Sequence, residues 1–152
     1  MDKVDAALLA ALQDNARTPN VQLAARVGLS ESPTFRRVKQ LEGSGAIQGY
    51  VALLDQRALG LKVTAYVNVR MARQPEGNHS EFHEAVCAEP HIVECHAMSG
   101  AFDFIVKVVA RDIDHFAELC MQQILRYPGV AQVESAFSLS CVKASPALPV
   151  SE

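Results

Sequence analysis

The chain has 152 residues, 49% of them hydrophobic, which excludes wholesale disorder and leaves room for one medium domain or two small ones. No apolar run approaches the ~20 residues of a membrane-spanning helix, and the start Met1-Asp2-Lys3-Val4-Asp5 lacks the basic-then-apolar layout of an export signal, so a cytoplasmic protein is expected. The formal charge of −3 conceals a division: residues 1–50 carry six Lys and Arg against five Asp and Glu, the remainder eight against twelve, so a nucleic-acid surface is expected only in the first third.

Val4, Leu8 and Leu12 recur every four residues, with Leu9 and Ala11 widening the stripe, and predict an amphipathic helix over residues 2–15. Asn20, following Pro19, is a suitable N-cap for a short second helix through residue 27, with Leu23, Ala24 and Val27 inward. Gly28 ends it by supplying the backbone freedom of a tight turn. A third helix is expected over residues 32–42, with Ser32 as cap and Pro33 in the first turn, where its missing N–H costs nothing. On a helical wheel Phe35, Val38 and Leu41 share one side. Ser32, Pro33, Arg36 and Gln40 fall opposite, with Arg37 and Lys39 on the flanks and Thr34 nearer the core side.

Two short helices joined by a glycine turn, the second with a cationic outer face, describe a helix-turn-helix. The run Arg36-Arg37-Val38-Lys39 taken alone reads equally well as a solvated helix face; the preceding helix and turn favour DNA. Arg36 then pairs with guanine edges, Ser32 or Thr34 with other base atoms or phosphates, and Arg37 and Lys39 neutralise phosphates. The candidate DNA-binding set is Asn20, Gln22, Ser30, Ser32, Pro33, Thr34, Arg36, Arg37, Lys39 and Gln40. Gly43, Gly45 and Gly49 punctuate a following segment, residues 46–54, expected as a short strand pair or wing, with Gln48 and Tyr50 as backbone contacts or as ordinary packing.

After a connection over residues 55–61, Val63, Ala65, Val67, Val69 and Met71 alternate with polar residues as a half-buried strand. The polar stretch Gln74-Pro75-Glu76-Gly77-Asn78 reads as a turn into a helix over residues 80–88, with Phe82, Ala85 and Val86 inward and Pro90 closing it. Two β-rich runs, residues 92–98 and 104–110, flank Ser99-Gly100-Ala101-Phe102-Asp103 as a hairpin with a longer loop. A helix over residues 113–127 is expected with Ile113, Phe116, Ala117, Cys120 and Ile124 inward. Pro128-Gly129 stops it, and Val133, Ser135, Phe137, Leu139 and Cys141 mark one face of a last strand. The four cysteines, Cys87, Cys95, Cys120 and Cys141, share no CxxC spacing and are expected as reduced thiols.

The fold class is therefore α+β: a winged helix-turn-helix over residues 1–54, a linker over 55–61, a ferredoxin-like β-α-β-β-α-β domain over 62–145 with an antiparallel four-stranded sheet and both helices on one face, and a tail over 146–152. The open face of that sheet is expected to carry Tyr66, His96, Met98, Val109 and Val142, apolar enough to call for association through it, most simply as a twofold dimer.

An enzyme is disfavoured. His79 and His83 at i,i+4 and the pair Cys95-His96 make a zinc site conceivable, but no HExxH, CxxC or nucleophile elbow accompanies them, so no metal and no other cofactor is expected. An RNA-recognition domain shares the strand order but needs paired aromatics and a basic face, which this acidic region lacks. A DNA-binding protein that organises the nucleoid without any ligand stays open as the alternative.

Residues 20–30 (Asn20-Val21-Gln22-Leu23-Ala24-Ala25-Arg26-Val27-Gly28-Leu29-Ser30), the helix from Ser32 to Glu42, and Gly45-Ala46-Ile47-Gln48-Gly49-Tyr50 together resemble the Lrp/AsnC (leucine-responsive, feast/famine) transcriptional regulators. Glu94 to Ile105 looks like that family's second signature, and residues 125–133, with Pro128-Gly129-Val130, match its helix-to-strand turn. The resemblance covers essentially the whole chain. It implies a cytoplasmic, nucleoid-associated regulator of amino-acid metabolism that binds double-stranded DNA, dimerises through its sheets and gathers into tetramers or octamers. It also implies an amino-acid effector held against the loop Ser99, Gly100, Ala101, Phe102 and Asp103; His96 and Met98, on the open face of the sheet, either line that pocket or pack in the interface. Gly100 lets a ligand approach backbone N–H groups suited to a carboxylate, while Asp103 either accepts from an ammonium or caps its own loop. Ala101 departs from the family, where an acidic residue is frequent, and leaves the effector's identity open.

Overall fold

The computed structural model describes residues 1–72 and 79–150, so the expected turn over residues 74–78 lies outside the described residues. The chain divides into two compact units, one formed by Met1–Leu53 with the chain from Val142 onward, the other by Leu54–Cys141.

In the first unit α1 spans Lys3–Asp14, α2 Asn20–Val27 and α3 Glu31–Gly43. The first helix starts where Asp2 and Asp5 satisfy each other's backbone N–H groups in a reciprocal capping box. Leu8, Ala11 and Leu12 from α1 meet Leu23 and Leu41, with Val4, Leu9, Val27, Val38 and Ile47 around them. Two N-terminal expectations shift by a residue or two. Asn20 is the first residue of α2, not its cap, and its side-chain amide donates to the Glu31 carbonyl at 2.9 Å, tying the two helices of the motif together. Ser32 lies inside α3, whose cap position is Ser30. Gly28 adopts φ 68°, the left-handed conformation a glycine reaches without strain, and so permits the turn.

Residues 46–54 contain no strand. Ile47 folds back so that its N–H reaches the Leu41 carbonyl at 3.1 Å, and the Tyr50 hydroxyl donates to Glu42 at 3.1 Å. Beyond that the segment runs exposed, with Val51, Leu53 and Leu54 all facing solvent. A wing needs two strands that pair, and residues 46–54 supply none. Leu148 belongs to this unit as well: the Gln13 side-chain amide pairs with both of its backbone groups, at 2.6 and 3.0 Å.

The second unit has β1 Val63–Met71, α4 Ser80–Ala88, β2 Ile92–Ala97, β3 Phe104–Ala110, α5 Ile113–Glu118 and β4 Val130–Phe137. The sheet order is β2-β3-β1-β4 with every neighbour antiparallel. Alternation does the work: Ala65, Val67, Val69 and Met71 of β1 and Phe104, Val106, Val108 and Ala110 of β3 are buried with Phe82 and Val86 of α4 and Phe116 of α5. After Glu118 the helix widens into a π turn, Leu119–Gln123, and tightens into a 3-10 turn, Ile124–Arg126. This change of winding keeps Leu119, Cys120 and Ile124 all inward, and it corrects the single straight helix expected over residues 113–127. Ile113, expected inward, is 64% exposed. The last strand ends at Phe137, so Leu139 and Cys141 lie beyond the sheet, as does Val142.

The open face is also more polar than expected. Tyr66, Asn68 and Arg70 of β1 stand with Ile105 and Lys107 of β3 and with Glu94 and His96 of β2, and Lys107 pairs with Glu94 at 2.7 Å, whereas Val109 is buried.

Candidate nucleic-acid interface and ligand loop

On α3 the inward positions are Thr34, Arg37, Val38 and Leu41, an i, i+3, i+4, i+7 stripe, and the outward ones are Ser32, Phe35, Arg36, Lys39 and Gln40. The helix is thus rotated from the orientation its hydrophobicity suggests, and two members of the candidate set change character. Thr34 is fully buried and its hydroxyl donates to the Ser30 carbonyl at 2.9 Å, which satisfies the one polar atom and makes the residue a core member rather than a base contact. Arg37 points back into its own unit, where Nη1 lies 2.7 Å from Asp2 and 2.8 Å from Asp5. Its charge is spent on these carboxylates, which pull its pKa up, and it is not a free phosphate ligand.

Arg36 is exposed and makes no hydrogen bond or ion pair among the described residues. Lys39 stands over the Phe35 ring at 5.8 Å and pairs with Glu42 at 2.7 Å across an exposed surface. Glu42 is held below its ordinary pKa first by Lys39 and then by the Tyr50 hydroxyl. Gln22, Ser30, Ser32 and Gln40 are exposed, and Asn20 and Pro33 half-buried. Phe35 is 53% exposed on the same face as Arg36. Composition points the other way for such a residue, and only the burial of Thr34 reveals the rotation.

The second cluster is the loop between β2 and β3. Its ends are locked: the Met98 N–H donates to the Asp103 carbonyl at 2.8 Å and the Asp103 N–H to the Val69 carbonyl at 2.9 Å. The Asp103 carboxylate accepts from the Met71 N–H at 2.7 Å, so one of its oxygens serves the local backbone. Gly100 has φ 143°, with nothing within 4 Å of where a Cβ would sit. Met98, Ser99, Gly100 and Ala101 are exposed and Phe102 half-buried. His96 is exposed on the sheet, 3.8 Å from Glu94. Sequence reasoning missed Arg70: its Nε donates to the Ala101 carbonyl at 3.2 Å, its guanidinium lies 5.2 Å over the Phe102 ring, and its terminal nitrogens have no partner among the described residues. Its exposed place in the alternation of β1 is the signal the sequence offers.

The histidines that suggested zinc flank an aromatic ring instead, with His79 and His83 at 5.8 and 5.6 Å from Phe104.

Residues 1–42 match the AsnC-type helix-turn-helix domain, and residues 64–148 match the Lrp/AsnC ligand binding domain. The chain belongs to the Lrp/AsnC family of transcriptional regulators. Among Lrp/AsnC relatives, the Bkd operon transcriptional regulator of Pseudomonas aeruginosa is 35% identical over 150 residues, 99% of this chain and 98% of that protein. The leucine-responsive regulatory protein of Escherichia coli K12 is 36% identical over 145 residues, 95% and 88% of the two chains. The crystal structure of a Neisseria meningitidis transcriptional regulator in complex with L-Met superposes with a TM-score of 0.93 at 33% identity, covering 98% and 96%. The chain is thus a helix-turn-helix DNA-binding regulator with an Lrp/AsnC ligand-binding domain, in a family that is not enzymatic. Among the described residues no helix is long and apolar enough to cross a membrane.

Proposed function

We propose that α3 enters the DNA major groove by its N-terminal half, with Arg36 donating to a guanine edge, Ser32 and Gln40 beside it, and Lys39 on phosphate. Asn20, Gln22 and Ser30 serve the flanking backbone. The observation that carries this reading is the exposed Arg36, without a partner among the described residues, on a helix whose opposite side is buried. The DNA-binding part ends near residue 54 and the effector part spans 62–145. Two copies associate through the open sheet faces, presenting two α3 helices to half-sites about one helical turn apart. Such dimers gather into tetramers or octamers in the cytoplasm, at the nucleoid, on genes of amino-acid metabolism.

The effector is an amino acid, a class that the L-Met complex of the Neisseria relative supports, and its seat is the loop of residues 98–103. With one Asp103 oxygen taken by Met71, the groups left for a zwitterion are the exposed backbone around Gly100 and the terminal N–H groups of Arg70 for the carboxylate, and the second Asp103 oxygen for the ammonium. Met98 and Phe102 line the side-chain end, with His96 nearby. Selecting bound DNA from a random duplex pool, with and without each amino acid, tests both halves. A defined consensus altered by one amino acid is the expected result; no consensus contradicts the reading. The occupied Asp103 carboxylate favours a second reading, a nucleoid organiser that needs no ligand, which a consensus indifferent to all twenty amino acids supports.

A further inference from the structure

We propose that Phe35 is a specificity-determining residue that reads a thymine methyl group in each half-site. The proposal rests on α3 being the helix that enters the groove, and deepens that reading by naming a base. Phe35 is 53% exposed in the outward stripe of α3, one residue from Arg36 and one turn from Ser32 and Lys39. Neighbouring positions of the same helix bury a threonine, so the core has refused the larger apolar ring and the surface holds it. Nothing in folding recommends that placement, because a phenyl group left in water forfeits its transfer free energy. Lys39 Nζ, 5.8 Å from the ring centroid, holds a cation against the π face and keeps the ring beside the charges that draw in phosphate.

A partner for this ring follows from the chemistry of the groove. Guanine, adenine and cytosine offer hydrogen-bond donors and acceptors along the major-groove edge, while thymine alone adds an apolar group, its C5 methyl. A ring projecting from the groove-facing side of a recognition helix therefore has one complementary feature among the four base pairs. Arg36, adjacent in the chain, supplies the polar pairing to guanine, so the two residues together read a short step containing both bases.

The test uses full-length protein and the duplex consensus obtained by selection. Each consensus thymine is replaced in turn by deoxyuridine, which removes the methyl group and leaves every hydrogen bond intact. Wild-type protein is expected to lose about three- to tenfold in affinity at one thymine per half-site, the worth of one or two buried methyl-sized contacts. Phe35→Ala is expected to bind the thymine and deoxyuridine duplexes alike, and Phe35→Leu to retain part of the difference; their melting temperatures report that the fold is intact. A consensus without any methyl-sensitive position, or a methyl effect that survives in Phe35→Ala, overturns the proposal while leaving the regulator reading standing. Loss of self-association in Phe35→Ala with an unchanged methyl effect assigns the ring to a protein contact and overturns it as well. Failure to obtain any consensus defeats the regulator reading itself.

Discussion

Asp2 and Arg37 are joined across the N-terminal unit, Oδ2 of the one 2.7 Å from Nη1 of the other, so the residue that caps the first helix also holds the middle of the third. This pairing turns Arg37 inward and leaves Arg36 as the guanidinium of α3 without a partner among the described residues.

The pairing makes the N-terminal unit acid-sensitive. The Asp5 N–H, and after it the Arg37 guanidinium, hold the Asp2 carboxyl below its ordinary value of 3.8. A carboxyl depressed in the folded state stabilises it fully above that ordinary value and loses the contribution as pH falls through the folded one. The melting temperature of wild-type protein is expected to exceed that of Asp2→Asn at pH 6, with the gap closing as pH falls below 3.8, the ordinary value. Circular dichroism melts across that range check it; a gap independent of pH contradicts it.

Arg37 and Lys39 separate by salt dependence. Lys39→Ala is expected to lower the slope of log affinity against log salt by about 1, because one phosphate contact disappears. Arg37→Ala is expected to lower thermal stability and leave that slope nearly unchanged. Fluorescence anisotropy titrations at several salt concentrations distinguish them, and equal slopes for the two variants exclude the assignment.

Thr34 is expected to behave as a core residue. Thr34→Ala removes a buried hydroxyl bonded to the Ser30 carbonyl and one methyl group from a fully buried site, a cost of about 1–2 kcal/mol in denaturant unfolding. The selected DNA consensus stays as it is; a changed base preference would return Thr34 to the interface.

The ligand loop gives a paired test. Arg70→Gln is expected to weaken amino-acid binding by about tenfold or more, the worth of a charge-assisted hydrogen bond, while leaving the apo melting temperature within a few degrees. Asp103→Ala is expected to lower the apo melting temperature, since it strands the Met71 N–H at the end of β1. Thermal shift measurements with and without the amino acid that binds wild type read both, because a ligand held only by the folded state raises the melting point by linkage. An undiminished ligand shift in Arg70→Gln rules out the carboxylate contact.

Much of this architecture is legible in local pattern. The four-residue spacing of Val4, Leu8 and Leu12, the glycine at 28, and the alternation from Val63 to Met71 each fix an element through its own backbone period. What escapes local pattern depends on partners distant in sequence. The rotation of α3 follows from a hydroxyl that back-bonds to its own helix and lets Thr34 take a core place that hydrophobicity alone assigns to Phe35. The acids that claim Arg37 lie 32 and 35 residues away, and the backbone N–H that claims Asp103 lies 32 residues away. The π turn after α5 keeps three side chains inward at once, and the expected wing lacks a pairing strand; neither depends on composition.

The most direct measurement is the affinity of Arg36→Ala for the selected operator and for random duplex of equal length, at one salt concentration. A loss of about 1–3 kcal/mol on the operator, with little on random DNA and relaxed preference at one base per half-site, is the predicted result. Equal losses on both duplexes would contradict base reading by Arg36, and no loss on either would remove α3 from the interface.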